Sequence, residues 1–357
     1  ALYRGIGMKA LVLDDVIEAA FLGYSRARSI NFSTQFLLLN AISSFLPGQE
    51  KKPAIDAKLI AQIRTEMLKL LKEDTHNIRL GLYPASVLSP ERPMEHLFRL
   101  PRLMLDGISI YRRRLLGKTT EFGKAGKELL DELPRYYRRN FHFQTDGYLS
   151  ERSARLYEHQ VELLFGGSAD AMRRLVIAEL RRKFGTSDGK GLRFLEIAAG
   201  TGRSTRFVHL AFPKAKIVAT DLSDPYLKEA QKKLAKFNRI DFVQADGTAL
   251  PFQSESFDAV YSVFLYHELP LTAREGILKE SKRVLKVGGV FSLVDSLQTG
   301  DMAALDEILE NFPKQFHEPF YRDYVAHPME ELVRAAGFAD VTSRLGFVSK
   351  VVSGIGK

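Results

Sequence analysis

Two rhythms of hydrophobic and polar positions divide this chain. Between residues 192 and 295, apolar runs of strand length recur at 192–197, 216–221, 240–247, 257–264 and 288–295, separated by helix-length stretches such as 225–237 and 272–285. Strands alternating with helices predict a parallel sheet covered on both faces, with ligands bound at the carboxyl ends of its strands. Ahead of residue 190 the spacing is helical. Leu59, Ile60, Ile63, Met67, Leu70 and Leu71 fall on one face of a helix. Further helices are expected at 33–45 and at 95–116, the latter interrupted by Pro101. Ser150 or Ser153 would cap a helix at 154–165 that Gly166 and Gly167 end, and a last helix at 169–184 leads into a polar linker at 185–189. The pattern predicts a mainly helical domain over 1–185 and an α/β domain over 186–357.

Candidate chemistry collects where the strands end. After the first strand the chain reads Glu196-Ile197-Ala198-Ala199-Gly200-Thr201-Gly202, a small-residue turn into a helix. Such a turn lets a ligand reach bare backbone N–H groups. A dinucleotide fingerprint needs a third glycine, but Arg203, Ser204 and Thr205 follow here, and there is no Lys-Ser/Thr pair of a phosphate loop. Glu196, ahead of the glycines, would repel a pyrophosphate and suits a ligand carrying an ammonium and a sulfonium. The second strand ends in Asp221, followed by Leu222, an acid able to accept from ribose hydroxyls, and the third in Asp246-Gly247, able to accept from an adenine amino group.

Together with Phe257-Asp258-Ala259-Val260 and Arg283-Val-Leu-Lys-Val-Gly-Gly289, these segments resemble the class I S-adenosylmethionine-dependent methyltransferases of the methyltransferase-11 or ubiquinone-methyltransferase-like group. Ala198 stands where many members have glycine. The resemblance covers roughly residues 191–357 and implies a Rossmann-like, seven-stranded, mostly parallel sheet. It also implies S-adenosylmethionine as cofactor and S-adenosylhomocysteine as product. The implied cofactor residues are Glu196, Ala198, Gly200, Thr201, Gly202, Asp221, Leu222, Asp246, Gly247 and Ser262. Residues after the fourth strand face the transferable methyl in this fold. Here they are Tyr266-His267-Glu268, with His267 the candidate general base, since an imidazole of pKa ~6.5 takes a proton near neutrality. Candidate substrate contacts are Tyr148, Tyr266, Glu268, Asp295, His317 and Tyr321. His267, Glu268, His317 and Glu318 are pairs that the fold could bring together, but no helical His-x-x-x-His spacing supports a metal, and none is expected.

Composition narrows the picture. The chain has no cysteine among its 357 residues, so disulfides, thiolate zinc sites and a thiol nucleophile are excluded. No apolar run approaches the ~18–20 residues of a membrane span, no export leader is expected, and the expected compartment is the cytoplasm. The formal charge of +9 is uneven. Residues 1–190 hold 31 Lys and Arg against 22 Asp and Glu, and residues 191–357 hold 21 of each. Arg112-Arg113-Arg114, Arg135-Tyr136-Tyr137-Arg138-Arg139 and Arg181-Arg182-Lys183 are read as solvated helix faces, or else as a surface for an anionic substrate, a membrane or nucleic acid. The segment 140–150 mixes aromatic and polar residues and is expected to be a loop that closes a pocket with Tyr148 and Arg152. The leading expectation is an enzyme that methylates a small organic, anionic or amphipathic acceptor, with a homodimer as one arrangement. The alternatives are an RNA- or DNA-modifying methyltransferase using the basic half, and a catalytically silent module of the same fold.

Overall fold

A computed structural model describes residues 2–43, 56–90 and 93–357. Among the described residues six α-helices precede the first strand: α1 (Leu2–Ser43), α2 (Ala57–Arg79), α3 (Pro93–Leu115), α4 (Lys124–Leu129), α5 (Glu151–Leu164) and α6 (Ala169–Phe184). Then come β1 (Arg193–Ile197), α7 (Arg203–Ala211), β2 (Lys216–Asp221), α8 (Asp224–Leu234), β3 (Ile240–Gln244), β4 (Phe257–Val263), α9 (Leu271–Val284) and β5 (Leu285–Ser296). Three short helices, α10 (Asp306–Phe316), α11 (Tyr321–Ala326) and α12 (Met329–Ala335), lead to the hairpin β6 (Ala339–Gly346) and β7 (Ser349–Ile355).

The strands form one seven-stranded sheet in the order β3-β2-β1-β4-β5-β7-β6. The first five strands are parallel and β7 runs antiparallel to both neighbours. The chain order reverses between β1 and β4, and ligands bind at such a switch point in this class of sheet. One face is packed by α6 and α7, through Met172, Val176, Leu180, Phe207 and Val208 against Phe194, Ile217 and Ala259. The other is packed by α9 to α12, through Ile277, Leu278, Tyr324 and Val333 against Leu195, Val260, Phe291 and Leu293. Helices on both faces explain why β1, β2 and β4 are near-continuously buried rather than alternating between buried and exposed.

Ser150 caps α5 by accepting from the Ser153 amide at 3.2 Å. α1 begins at Leu2 rather than at residue 33, and Phe45 lies outside the described residues. α3 runs through Pro101 instead of breaking there, so it forgoes the one backbone bond that residue cannot donate.

Arg112, Arg135, Arg182 and Lys183 are exposed, as solvated faces would be, while one arginine of each basic cluster turns inward. Arg113 is buried and donates to the Phe143 carbonyl at 2.8 Å and to Thr145 at 2.7 Å. Arg138 reaches the Leu133 carbonyl at 2.7 Å, and Arg181 gathers the carbonyls of Leu82, Gly185, Ser187 and Ala211. Among the described residues no helix is long and apolar enough to cross a membrane.

α2 is locked onto α6 by a buried two-armed pair. Arg174 donates to both oxygens of Asp74 at 2.7 Å, and Tyr83 adds a third donor to Asp74 Oδ1 at 2.7 Å. Removing one partner of such a pair leaves an uncompensated buried charge. Asp74→Ala is therefore expected to cost about 3–5 kcal/mol in chemical denaturation, and replacing Asp74 and Arg174 together by apolar residues is expected to restore most of it.

Candidate functional site

At the carboxyl ends of β1, β2 and β4 a cleft encloses about 900 Å³, its open mouth included. The turn after β1 forms its floor. Ala198, Gly200 and Gly202 all have positive φ (59°, 55° and 79°), a conformation that costs a side-chain-bearing residue about 1 kcal/mol or more. The two glycines do different work. A Cβ on Gly202 would stand 2.7 Å from Leu234 Cδ1, so this glycine lets α7 sit against α8. A Cβ on Gly200 would meet nothing nearer than 4.0 Å, so the space beside its Cα, in the cleft wall, is open.

Asp221, at the tip of β2, receives the amides of Gly200 at 2.7 Å and Ser223 at 2.8 Å. Burial pushes its carboxyl up to about 6, against the lowering by these N–H donors. Asp246 lies two residues past β3, holds the amide and hydroxyl of Thr248 at 2.8 Å each, and faces the same cleft.

The structure brings Ala198, Gly200, Thr201, Asp221, Leu222, Asp246, Gly247, Tyr148 and Glu268 into the cleft wall. Glu196, Gly202 and Ser262 lie beneath it. Glu196 is 1% exposed, takes hydrogen bonds from Thr205 at 2.5 Å and Tyr261 at 3.0 Å, and is pushed up to about 8 by burial. It braces the strand and helix that carry the turn. Ser262 is buried within β4.

Behind Glu268 stands a second set of the expected residues. His267 Nδ1 lies 2.5 Å from Asp295, whose other oxygen caps the amides of Leu265 and Tyr266 at 3.0 and 2.6 Å. Burial alone would strip the ring of its charge, but Asp295, with Glu318 and Glu268 beyond, lifts His267 to about 9. Its Nε2 is 3.8 Å from Glu268 Oε1. Tyr266 is fully buried, Tyr321 shares a 2.6 Å hydrogen bond with Ser296, and His317 packs its ring on Phe143 at 5.2 Å. None of these five residues (Tyr266, His267, Asp295, His317, Tyr321) lines the cleft.

Sequence reasoning missed the roof. Tyr136, Tyr137, Tyr157 and Tyr226 join Tyr148 around the cleft, with Glu158 and Arg173 from α5 and α6. Tyr148 is anchored twice: its carbonyl accepts from Ser223 Oγ at 2.6 Å, and its hydroxyl donates to Glu268 Oε1 at 2.5 Å. Thr201 donates to Glu158, which Arg173 pairs at 3.2 Å. Arg152, expected to help close the cleft, is instead more than half exposed and 4.0 Å from Asp106.

His142 is the other omission. Its backbone is held at φ 53°, and its ring lies between Glu268 (Nε2 to Oε1, 3.4 Å) and Glu318 (Nδ1 to Oε1, 3.0 Å). Burial lowers its pKa, and the two carboxylates outweigh this and raise it to about 10.

A family profile described as a methyltransferase domain matches residues 194–289. A demethylmenaquinone methyltransferase of Clavibacter sepedonicus is 44% identical over 99 residues, covering 28% of this chain and 39% of the relative. A ubiquinone/menaquinone biosynthesis C-methyltransferase of Pseudomonas fluorescens is 35% identical over 137 residues, covering 37% and 50%. The chain thus spans two-fifths to one half of the length of these curated relatives. Among solved structures, phosphoethanolamine N-methyltransferase 2 of Haemonchus contortus, in complex with S-adenosyl-L-methionine, aligns with a TM-score of 0.40 at 17% identity, over 51% of this chain and 52% of that one.

The turn's tight packing is open to direct measurement. Gly202→Ala combines a positive φ with a 2.7 Å contact and is expected to lower the thermal midpoint clearly. Gly200→Ala, with open space ahead of it, should show only the smaller cost of its φ.

Proposed function

Because the C-terminal part of the chain is a class I S-adenosylmethionine-dependent methyltransferase domain, we propose that the protein transfers the S-methyl group of that cofactor to a small organic acceptor enclosed beneath the preceding helices. One observation carries this reading: the glycine turn, Asp221 and Asp246 share a single cleft wall with Tyr148 and Glu268. The residues present fit the cofactor. Gly200 leaves the space beside its Cα open, and Glu158, Asp221, Asp246 and Glu268 outnumber Arg173 and Arg203 in the lining. A net negative cleft favours a ligand carrying a sulfonium and an ammonium.

When bound, the cofactor supplies an electrophilic methyl group, and the chain's task is to align and to manage charge. Asp221 accepts from the ribose hydroxyls and Asp246 from the adenine amino group. Ala198, Gly200, Thr201, Leu222 and Gly247 shape the wall between them, while Glu196, Gly202 and Ser262 hold that wall from below.

Residues 1–185 select the acceptor and residues 186–357 hold the cofactor. Tyr136, Tyr137 and Tyr148, from the first of these parts, close the cleft, which supports a small acceptor. A nucleic acid strand is less well supported, since Arg113, Arg138 and Arg181 are spent on the chain's own carbonyls. Where the acceptor must lose a proton, Glu268 is the cleft carboxylate placed to take it. His267, fixed by Asp295 and lifted to about 9, is already charged near neutrality, so it steadies that carboxylate rather than acting as the base, and Tyr148 orients the same group. Tyr266, His317 and Tyr321 pack behind this apparatus rather than touching the acceptor.

Calorimetric titration with S-adenosylmethionine is expected to show one site, weakened by about 1–3 kcal/mol in Asp221→Asn. No binding to the folded wild-type chain would leave the silent-module reading. Asp221 also sets a pH dependence. Its folded pKa of about 6 lies above its unfolded value, so its contribution to the cofactor-free fold is greatest at low pH and is lost as pH rises through 6. Cofactor binding runs the other way. If only the carboxylate accepts from the ribose, affinity falls about tenfold from pH 7 to pH 5, and this step disappears in Asp221→Asn. His267→Asn is expected to lower turnover at least tenfold while leaving cofactor affinity within twofold, as judged by the same titration.

A further inference from the structure

The cluster behind Glu268 is richer than methyl transfer requires. His142, Glu268 and Glu318 come from three separate segments, and one donor atom from each lies within 4.8 Å of the others. Glu318 is 1% exposed, and neither of its carboxylate oxygens meets hydrogen-bond geometry; among the described residues its one ion-pair partner is His142 Nδ1, at 3.0 Å, a ring that also serves Glu268. A carboxylate removed from water and left without hydrogen bonds is costly, and such groups are paired or bound to a cation. The backbone spends further energy to hold the arrangement, since His142 and Phe143 are both left-handed (φ 53° and 54°), as is His317 beside Glu318 (φ 49°).

We propose that His142, Glu268 and Glu318 form a binding site for one divalent cation at the acceptor end of the cleft. The donor set, one imidazole and two carboxylates, suits a cation such as Mn2+ or Zn2+. Neighbouring donors around a four- to six-coordinate ion at 2.0–2.2 Å stand roughly 3–4 Å apart, so the present separations need only side-chain adjustment. Without the cation, the charged His142 ring offsets part of the two carboxylates. With it, two positive charges replace that one beside Glu268, Glu318 and Asp295.

Three protein ligands leave coordination positions open. Glu268 is the ligand that lines the cleft, so those positions face the acceptor. This last step rests on the methyl-transfer reading and narrows it. The acceptor is an oxygen-bearing molecule, such as an enol, a phenol or a 2-oxo acid, whose oxygen binds the cation and becomes more acidic there.

The site is tested without cofactor or acceptor. Metal-stripped protein is titrated with Mn2+, following the loss of the free-ion paramagnetic resonance signal, and thermal unfolding is recorded with and without Mn2+ and Zn2+. One bound equivalent and a raised unfolding midpoint are expected, because a cation that binds only the folded chain stabilises it. Glu318→Gln and His142→Gln should each weaken binding at least tenfold. Glu318→Gln removes a buried charge and should not itself prevent folding, which circular dichroism checks.

Absence of Mn2+ and Zn2+ binding at millimolar concentration, with an unchanged midpoint, would overturn the site and leave an ion-pair cluster. Binding that survives both substitutions would overturn it equally. Neither result touches the cofactor titration, and loss of cofactor binding would leave the metal titration readable.

Discussion

The structure depends on a closed account of buried charge where the helices before β1 meet the sheet. Glu158, Glu162 and Asp170 stand against Arg28, Arg173 and Arg203, three acids and three arginines with little access to water. Asp170 is the hub. It takes both arms of Arg203 at 2.9 and 2.5 Å, Arg28 at 3.0 Å and Arg173 at 3.2 Å. Burial would raise its pKa, but Arg203 and Arg28 hold it well below the usual carboxylate range. Ions so placed are tolerable only when all are present and well oriented, so the set fixes α1, α5, α6 and the start of α7 against one another.

That constraint reaches the cleft directly. Arg203 is the first residue of α7 and Glu158 accepts from Thr201, so the network grips the glycine turn from two sides. α6 completes the tie, being buried along most of its length against the sheet although it precedes the first strand. The helices before β1 are therefore part of the cleft's geometry. A change in how α1 or α5 seats would be transmitted to the turn through ions rather than through apolar contacts.

Local signals made one half of this legible and left the other half dark. β1 to β5 could be read because each is an apolar run ended by a turn or an acid, and Asp221 and Asp246 stand at or just past the strand tips where the pattern puts them. β6 could not: it is largely exposed, and its hairpin with β7 carries no such punctuation. The break expected at Pro101 failed because a single missing backbone bond is a smaller cost than giving up a 23-residue helix. Ser150 was readable as a cap from residue type alone. Meeting points between distant segments were not. His142 and Glu268 are 126 residues apart, and nothing local to either marks the other. Arg113, Arg138 and Arg181 could not be told from their exposed neighbours for a related reason, because a guanidinium reads the same whether it meets water or a carbonyl from another segment.

On the proposed reading, the placement of charge around the cleft follows from the reaction's own electrostatics. Methyl transfer begins with a positive sulfur and ends with a neutral one, so a bare carboxylate beside it would stabilise the starting state most and slow the step. The chain masks its carboxylates accordingly. Glu158 is paired with Arg173, and Glu268 is held by Tyr148, His142 and His267. Asp221 and Asp246, which take hydrogen bonds but have no cationic partner within ion-pair distance among the described residues, sit where an adenosine would be gripped, away from the changing charge. Glu318, buried behind Glu268, has one ion-pair partner among the described residues, the His142 ring. That ring also serves Glu268, so two carboxylates share the His142 charge behind the cleft wall, whereas the carboxylates at the adenosine end are held by neutral donors alone.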